Sequence, residues 1–94
     1  MKENIKSYIG KFGENMLIKF FLIERDNLNG VDYLDDDFEK FKHTGLFSRK
    51  KSTSEESYIA ITPEGTELYN LLAGAWNRGE IYEKSGKINF AYVL

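Results

Sequence analysis

Residues 45–72 read GLFSRKKSTSEESYIAITPEGTELYNLL, and their order of local signals decides the fold. LFSRKK and SYIAIT are strand-like, and the polar STSEE joins them. Tyr58, Ala60 and Thr62 point to one side of the second strand, Ile59 and Ile61 to the other. Thr62 then stands before Pro63. Threonine caps a helix, and proline suits the first helical position because its missing N–H would be unpaired there anyway. Glu64 and Glu67 complement the positive end of that helix. Leu68, Leu71, Leu72, Ala75 and Trp76 form one apolar stripe along it, and Gly79 is placed to end it. The stretch predicts antiparallel strands over 46–51 and 57–62 and a helix starting at Pro63.

Upstream, Ile5, Tyr8, Ile9, Phe12, Met16, Phe20 and Ile23 recur at helical spacing. Gly10 and Gly13 weaken the first half, and a break is expected near Gly13. MLIKFFLI (16–23) is apolar almost all round and belongs at the centre of the core. RDNLNGVDY (25–33) carries turn chemistry at Asp26, Asn27, Asn29 and Gly30. LDDDFEKFKHTG (34–45) predicts a short helix capped by Asp35 or Asp36, with Leu34, Phe38 and Phe41 inward and Gly45 at its stop. Downstream, EIYEKSGKINFAYVL (80–94) predicts a hairpin turning at Ser85-Gly86, with Ile88, Phe90, Tyr92 and Leu94 on one face. Such a terminal strand must pair, with its own sheet or with a second copy of the chain.

The chain's 94 residues make one domain with material for one modest core. There is no cysteine, which excludes disulfides and cysteine-ligated zinc and suits a reducing compartment. The N-terminus lacks a secretory apolar run and no stretch is long enough to span a membrane, so a cytoplasmic protein is expected. The net charge of −2 conceals a strong pattern. Residues 1–25 carry +2, 26–40 carry −5, 41–51 carry +4 and 52–94 carry −3.

HTGLFSRKK followed by SYIAITPEGTELYNLL resembles the second half of winged helix-turn-helix domains. The matching residues are Gly45, Leu46, Tyr58, Ile61, Thr62, Glu64, Gly65 and Leu68. The resemblance implies an α+β fold: helices packed on a short antiparallel sheet, a two-stranded wing and, here, a C-terminal β-hairpin. It also implies DNA binding in transcriptional regulation, with MLIKFFLIERD as the first helix. The chain departs from the family in two ways. Only residues 26–44 lie between Arg25 and Gly45, too few for two full helices. The helix at the recognition position, DDDFEKFKH, is acidic, and acids oppose a phosphate backbone.

Two sets of binding residues follow. Arg49, Lys50 and Lys51 on the wing, with Lys40 and Lys42, are the candidate contacts to double-stranded DNA. Asp35, Asp36, Asp37 and Glu39 are candidates for a basic protein partner, and a small regulator of the kind mobile elements encode fits that alternative. Trp76, Tyr69, Tyr82 and Tyr92 fit either core or an interface, and a homodimer is compatible with them. No catalytic constellation is legible. His43 has no marked nucleophile partner, Glu55-Glu56 lies on a polar turn, and there is no glycine-rich phosphate loop. A calcium loop around Gly30 would place Arg25 at the first ligand position and Asp36 at the last, which misfits the ion. No enzyme activity, cofactor or metal is expected.

Overall fold

The computed structural model describes residues 4–53 and 56–91. Within them the order is α1 (Ile5–Phe12), α2 (Glu14–Leu28), α3 (Asp35–Phe41), β1 (Phe47–Lys51), β2 (Ser57–Ile61), α4 (Pro63–Asn77), β3 (Ile81–Lys84) and β4 (Lys87–Phe90). The class is α+β. β1 pairs with β2 and β3 with β4, each as a separate antiparallel hairpin.

The N-terminal helical run breaks where expected. Asn4 caps α1 by accepting from the Ser7 N–H at 2.9 Å. Gly13, at φ 88°, then turns the chain into α2 in a conformation other residues resist. Leu17, Phe20 and Phe21 of α2 are buried, as the all-round apolar segment requires. The turn chemistry of RDNLNG acts later than its composition suggests. α2 runs on to Leu28, since each added residue of a formed helix gains a hydrogen bond. Asn29 and Gly30 (φ 97°) make the turn.

α3 corrects two expectations. Its N-cap is Leu34, in extended conformation and with no side-chain cap bond, rather than Asp35 or Asp36. All three aspartates fall inside the first turn, where they face the helix dipole. Leu34 therefore lies ahead of the helix and is 60% exposed, not part of the apolar face. Phe41 is fully buried and Phe38 half-buried. The Thr44 hydroxyl donates to the Phe41 carbonyl and accepts from the Leu46 N–H, and Gly45 (φ 77°) reverses the chain into β1.

The Thr62-Pro63 signal acts as read. The Thr62 hydroxyl accepts from the Gly65 N–H at 3.0 Å and donates to the Gly45 carbonyl at 2.6 Å. One side chain thus caps α4 and ties it to the turn before β1. Gly65 has its own cause: a Cβ there would lie 2.3 Å from the Leu46 carbonyl oxygen. Only glycine lets the backbone just before β1 approach α4 this closely. α4 buries Leu68, Leu72 and Ala75 and ends in a left-handed Gly79, with Gly79 N–H donating to Trp76 O and Glu80 N–H to Ala75 O. Ser85 and Gly86, both at positive φ, make the tight turn of the second hairpin. Tyr92 and Leu94 lie outside the described residues.

Aromatic rings dominate the core. Phe47 meets Tyr33 and Phe41 edge to face and Phe20 at a tilt, with ring centres 5.1–5.6 Å apart, joining α2, α3, the loop between them and β1. Phe21 meets Tyr69 and Trp76 at 5.5 and 5.6 Å. Tyr69 and Trp76 are therefore packed against the core, while Tyr82 is exposed. No helix of the described residues is long and apolar enough to cross a membrane.

Candidate functional site

Strand alternation divides the three wing cations. Phe47, Arg49 and Lys51 pair with Ile61, Ile59 and Ser57 on the side facing α3, while Ser48 and Lys50 pair with Ala60 and Tyr58 on the outer side. Arg49 is engaged within the fold. Its guanidinium is 3.1 Å from Asp35 Oδ1, 3.3 Å from Ser57 Oγ and 4.9 Å from the Phe38 ring centre. It fastens the wing to the start of α3. Lys50 and Lys51 are exposed and belong to none of the ion pairs of the described residues.

Lys40 and Lys42, near the end of α3, fall into different settings. Lys42 pairs with Glu39 at 3.4 Å. Lys40 stands beside Lys19 of α2. Contact with the Lys40 amine and its positive charge lower the Lys19 ammonium below the usual lysine pKa; burial adds to this and the charge of Asp37 opposes it. Lys19 was not a sequence candidate. Its signal is a single charge inside an apolar run, LIKFF, which must project outward from a buried helix.

The acidic set is likewise divided. Asp35 is committed to Arg49 and Glu39 to Lys42, Asp37 lies near Lys19, and Asp36 is exposed. Beneath them is a pair that sequence spacing did not disclose. Glu24 of α2 is only 5% exposed and accepts a short hydrogen bond from the Tyr33 hydroxyl. Burial raises the Glu24 carboxyl above the ordinary glutamate value, and the Tyr33 bond partly opposes this. Burial, then the bond and charge of Glu24, push the Tyr33 hydroxyl up. The pair clamps residues 31–34 onto α2. A cleft of about 490 Å³ opens beside it, lined by Asp32, Tyr33, Asp35, Arg49 and Tyr58 among others. Among the described residues, no group of three or more histidines and carboxylates gathers as a metal site.

The chain matches no family model, no curated protein and no solved structure.

Proposed function

We propose that this chain is a small, non-catalytic, winged-helix-like domain that binds double-stranded DNA in transcriptional regulation, in the cytoplasm. The observation that carries the reading is that Lys40 at the end of α3 and Lys50 and Lys51 on the wing are exposed and belong to none of the ion pairs of the described residues. The influence of Lys40 on Lys19 supports it: two neighbouring ammonium groups repel one another, and a phosphate oxygen between them relieves that repulsion. Lys42, the C-cap of α3, lies close by and is held by Glu39. Arg49 positions the wing instead of reaching a phosphate, since Asp35 already neutralises it. The acidic first turn of α3 would be turned away from the backbone, with the basic end and the wing making contact.

Salt titration of binding to a mixed-sequence duplex tests this. If Lys19, Lys40, Lys50 and Lys51 each neutralise one phosphate, log K falls against log salt with a slope of about −3.6. A fourfold rise from about 50 mM salt then weakens binding by roughly 150-fold. Replacing Lys19 and Lys40 by alanine should flatten the slope by about 1.8, whereas Arg49→Ala should leave it unchanged. Absence of binding at low salt, or binding indifferent to salt, refutes the reading.

A further inference from the structure

From the last residue of α2 to the N-cap of α3 the chain leaves three large aliphatic side chains in water: Leu28, Val31 and Leu34 are 64%, 56% and 60% exposed. Among the described residues the other large exposed hydrophobic side chains are Tyr58 and Tyr82, whose hydroxyls are at home in water. The aliphatic trio has no such reason to be outside. It is also held in place. Val31 N–H donates to the Asp26 carbonyl at 2.9 Å, the Asn27 side chain donates to the Val31 carbonyl at 3.1 Å, and Tyr33 is anchored to buried Glu24. A fixed segment loses little freedom on binding.

Two clefts flank this segment and share Asp32. One is the cleft of about 490 Å³ already described; the other, of about 100 Å³, is lined by Ile23, Asp26, Val31, Asp32, Leu34 and Asp37. Four carboxylates line the two, Asp26, Asp32, Asp35 and Asp37. Arg49 is the one cation lining either cleft among the described residues, and it is spent on Asp35. The surface is apolar at its centre and negative at its rim.

We propose that residues 26–37 form a docking surface for a basic, aliphatic-bearing segment of a protein partner. Its aliphatic side chains cover Leu28, Val31 and Leu34, and its lysines or arginines meet Asp26, Asp32 and Asp37. Charge selects this occupant over the others. Phosphates of DNA would be repelled. A second copy docked about a two-fold axis would set this acidic patch against itself. The surface adjoins the basic one assigned to DNA where Asp37 lies near Lys19, but the proposal does not rest on DNA binding.

Amide spectra of the isotope-labelled full chain, titrated with designed helical peptides, test the proposal. The peptides carry one leucine face backed by lysine, by serine or by glutamate. The leucine-lysine peptide should shift amides of 26–37, with Arg49 beside Asp35, and leave Lys40 and Lys42 in place. The triple change Asp26→Asn, Asp32→Asn, Asp37→Asn should weaken it about tenfold, mainly through slower association. Val31→Ser with Leu34→Ser, at two exposed sites, should weaken it to a similar degree and serves if the triple variant fails to fold. The proposal is overturned if the glutamate peptide binds as well, if the shifts fall elsewhere, or if no peptide shifts anything. It is also overturned if duplex DNA shifts 26–37. Concentration-dependent shifts of 28–34 in the free chain would assign the patch to a second copy instead.

Discussion

The two ends of α3 present opposite charge a few residues apart. At its start are Asp35, Asp36 and Asp37, with Asp26 and Asp32 nearby and three exposed aliphatic residues before them. At its end are Lys40, Lys42 and His43, with Lys19 alongside. A seam of ion pairs, Asp35–Arg49 and Glu39–Lys42, runs between them. Exposed pairs of this kind contribute little stability, commonly about 0–1 kcal/mol. They fix which cations and acids are spent inside the fold and which remain for partners. The comparison teaches that a run of like charge in sequence is not a surface. Of three adjacent wing cations, one is a clasp, and of the four acids of α3, one is its counterpart and another pairs with Lys42.

Both ends hang on the same buried ring, so the comparison is broken most severely there. Phe41 is fully buried at the end of α3 and meets Phe20 and Phe47 at 6.2 and 5.6 Å. Phe41→Ala should cost about 3–5 kcal/mol, read from denaturant unfolding. It should weaken DNA and peptide binding together. Loss at one end with full binding at the other would mean that the two surfaces are supported separately.

A more selective break lies under the acidic end. Tyr33→Phe removes the hydroxyl that satisfies buried Glu24 and should cost about 1–3 kcal/mol. It should perturb residues 26–37 and spare the salt slope of DNA binding. The pH dependence follows from the direction of the Glu24 shift. Its carboxyl titrates higher in the folded chain than in the unfolded one, so the folded state holds the extra proton. Stability from this group is present below the ordinary glutamate value and is lost as pH rises through the raised folded value. Wild type should therefore lose stability relative to Glu24→Gln across that window. Tyr33→Phe should extend the window upward, because the bond opposing the rise is gone. Parallel pH profiles for wild type and Glu24→Gln would show that Glu24 is not the group responsible.

Most of the architecture was legible because its signals are local. Thr62-Pro63, Ser85-Gly86, Gly13 and Gly79 act through their own backbone, and each marks the turn or cap it announced. The misreadings lie where a choice depends on neighbours in space. Asp35 and Asp36 are competent caps, but the chain enters α3 extended and Leu34 takes the position. Asp26 and Asn27 favour turns, yet α2 carries them as its last residues. The candidate residues were legible only as a list of charges. That Arg49 reaches Asp35 depends on strand face and on how the hairpin leans on Phe38. That Lys40 acts on Lys19 depends on the chain returning from α2 through residues 29–34 to α3. Neither follows from spacing along the chain.

The mildest change tests the seam itself. Glu39 holds Lys42 at 3.4 Å, and Asp36 is exposed one turn earlier on the same short helix. Asp36→Asn with Glu39→Gln keeps shape while removing two negative charges near the basic end and releasing Lys42 from its partner. If α3 approaches DNA by that end, repulsion falls and Lys42 becomes available to a phosphate. Non-specific affinity should then rise by roughly threefold to tenfold, and the salt slope should steepen by up to about 0.9, the contribution of one further phosphate contact. The gain should fade at high salt, where charges separated by more than the screening length no longer act on one another. Peptide docking on 26–37 should change little, since neither residue lines its clefts. Melting of the variant must be compared first, because acids near the start of a helix also favour its dipole. A normally folded variant with unaltered affinity and slope would separate α3 from the DNA surface and leave the wing and Lys19 to carry it.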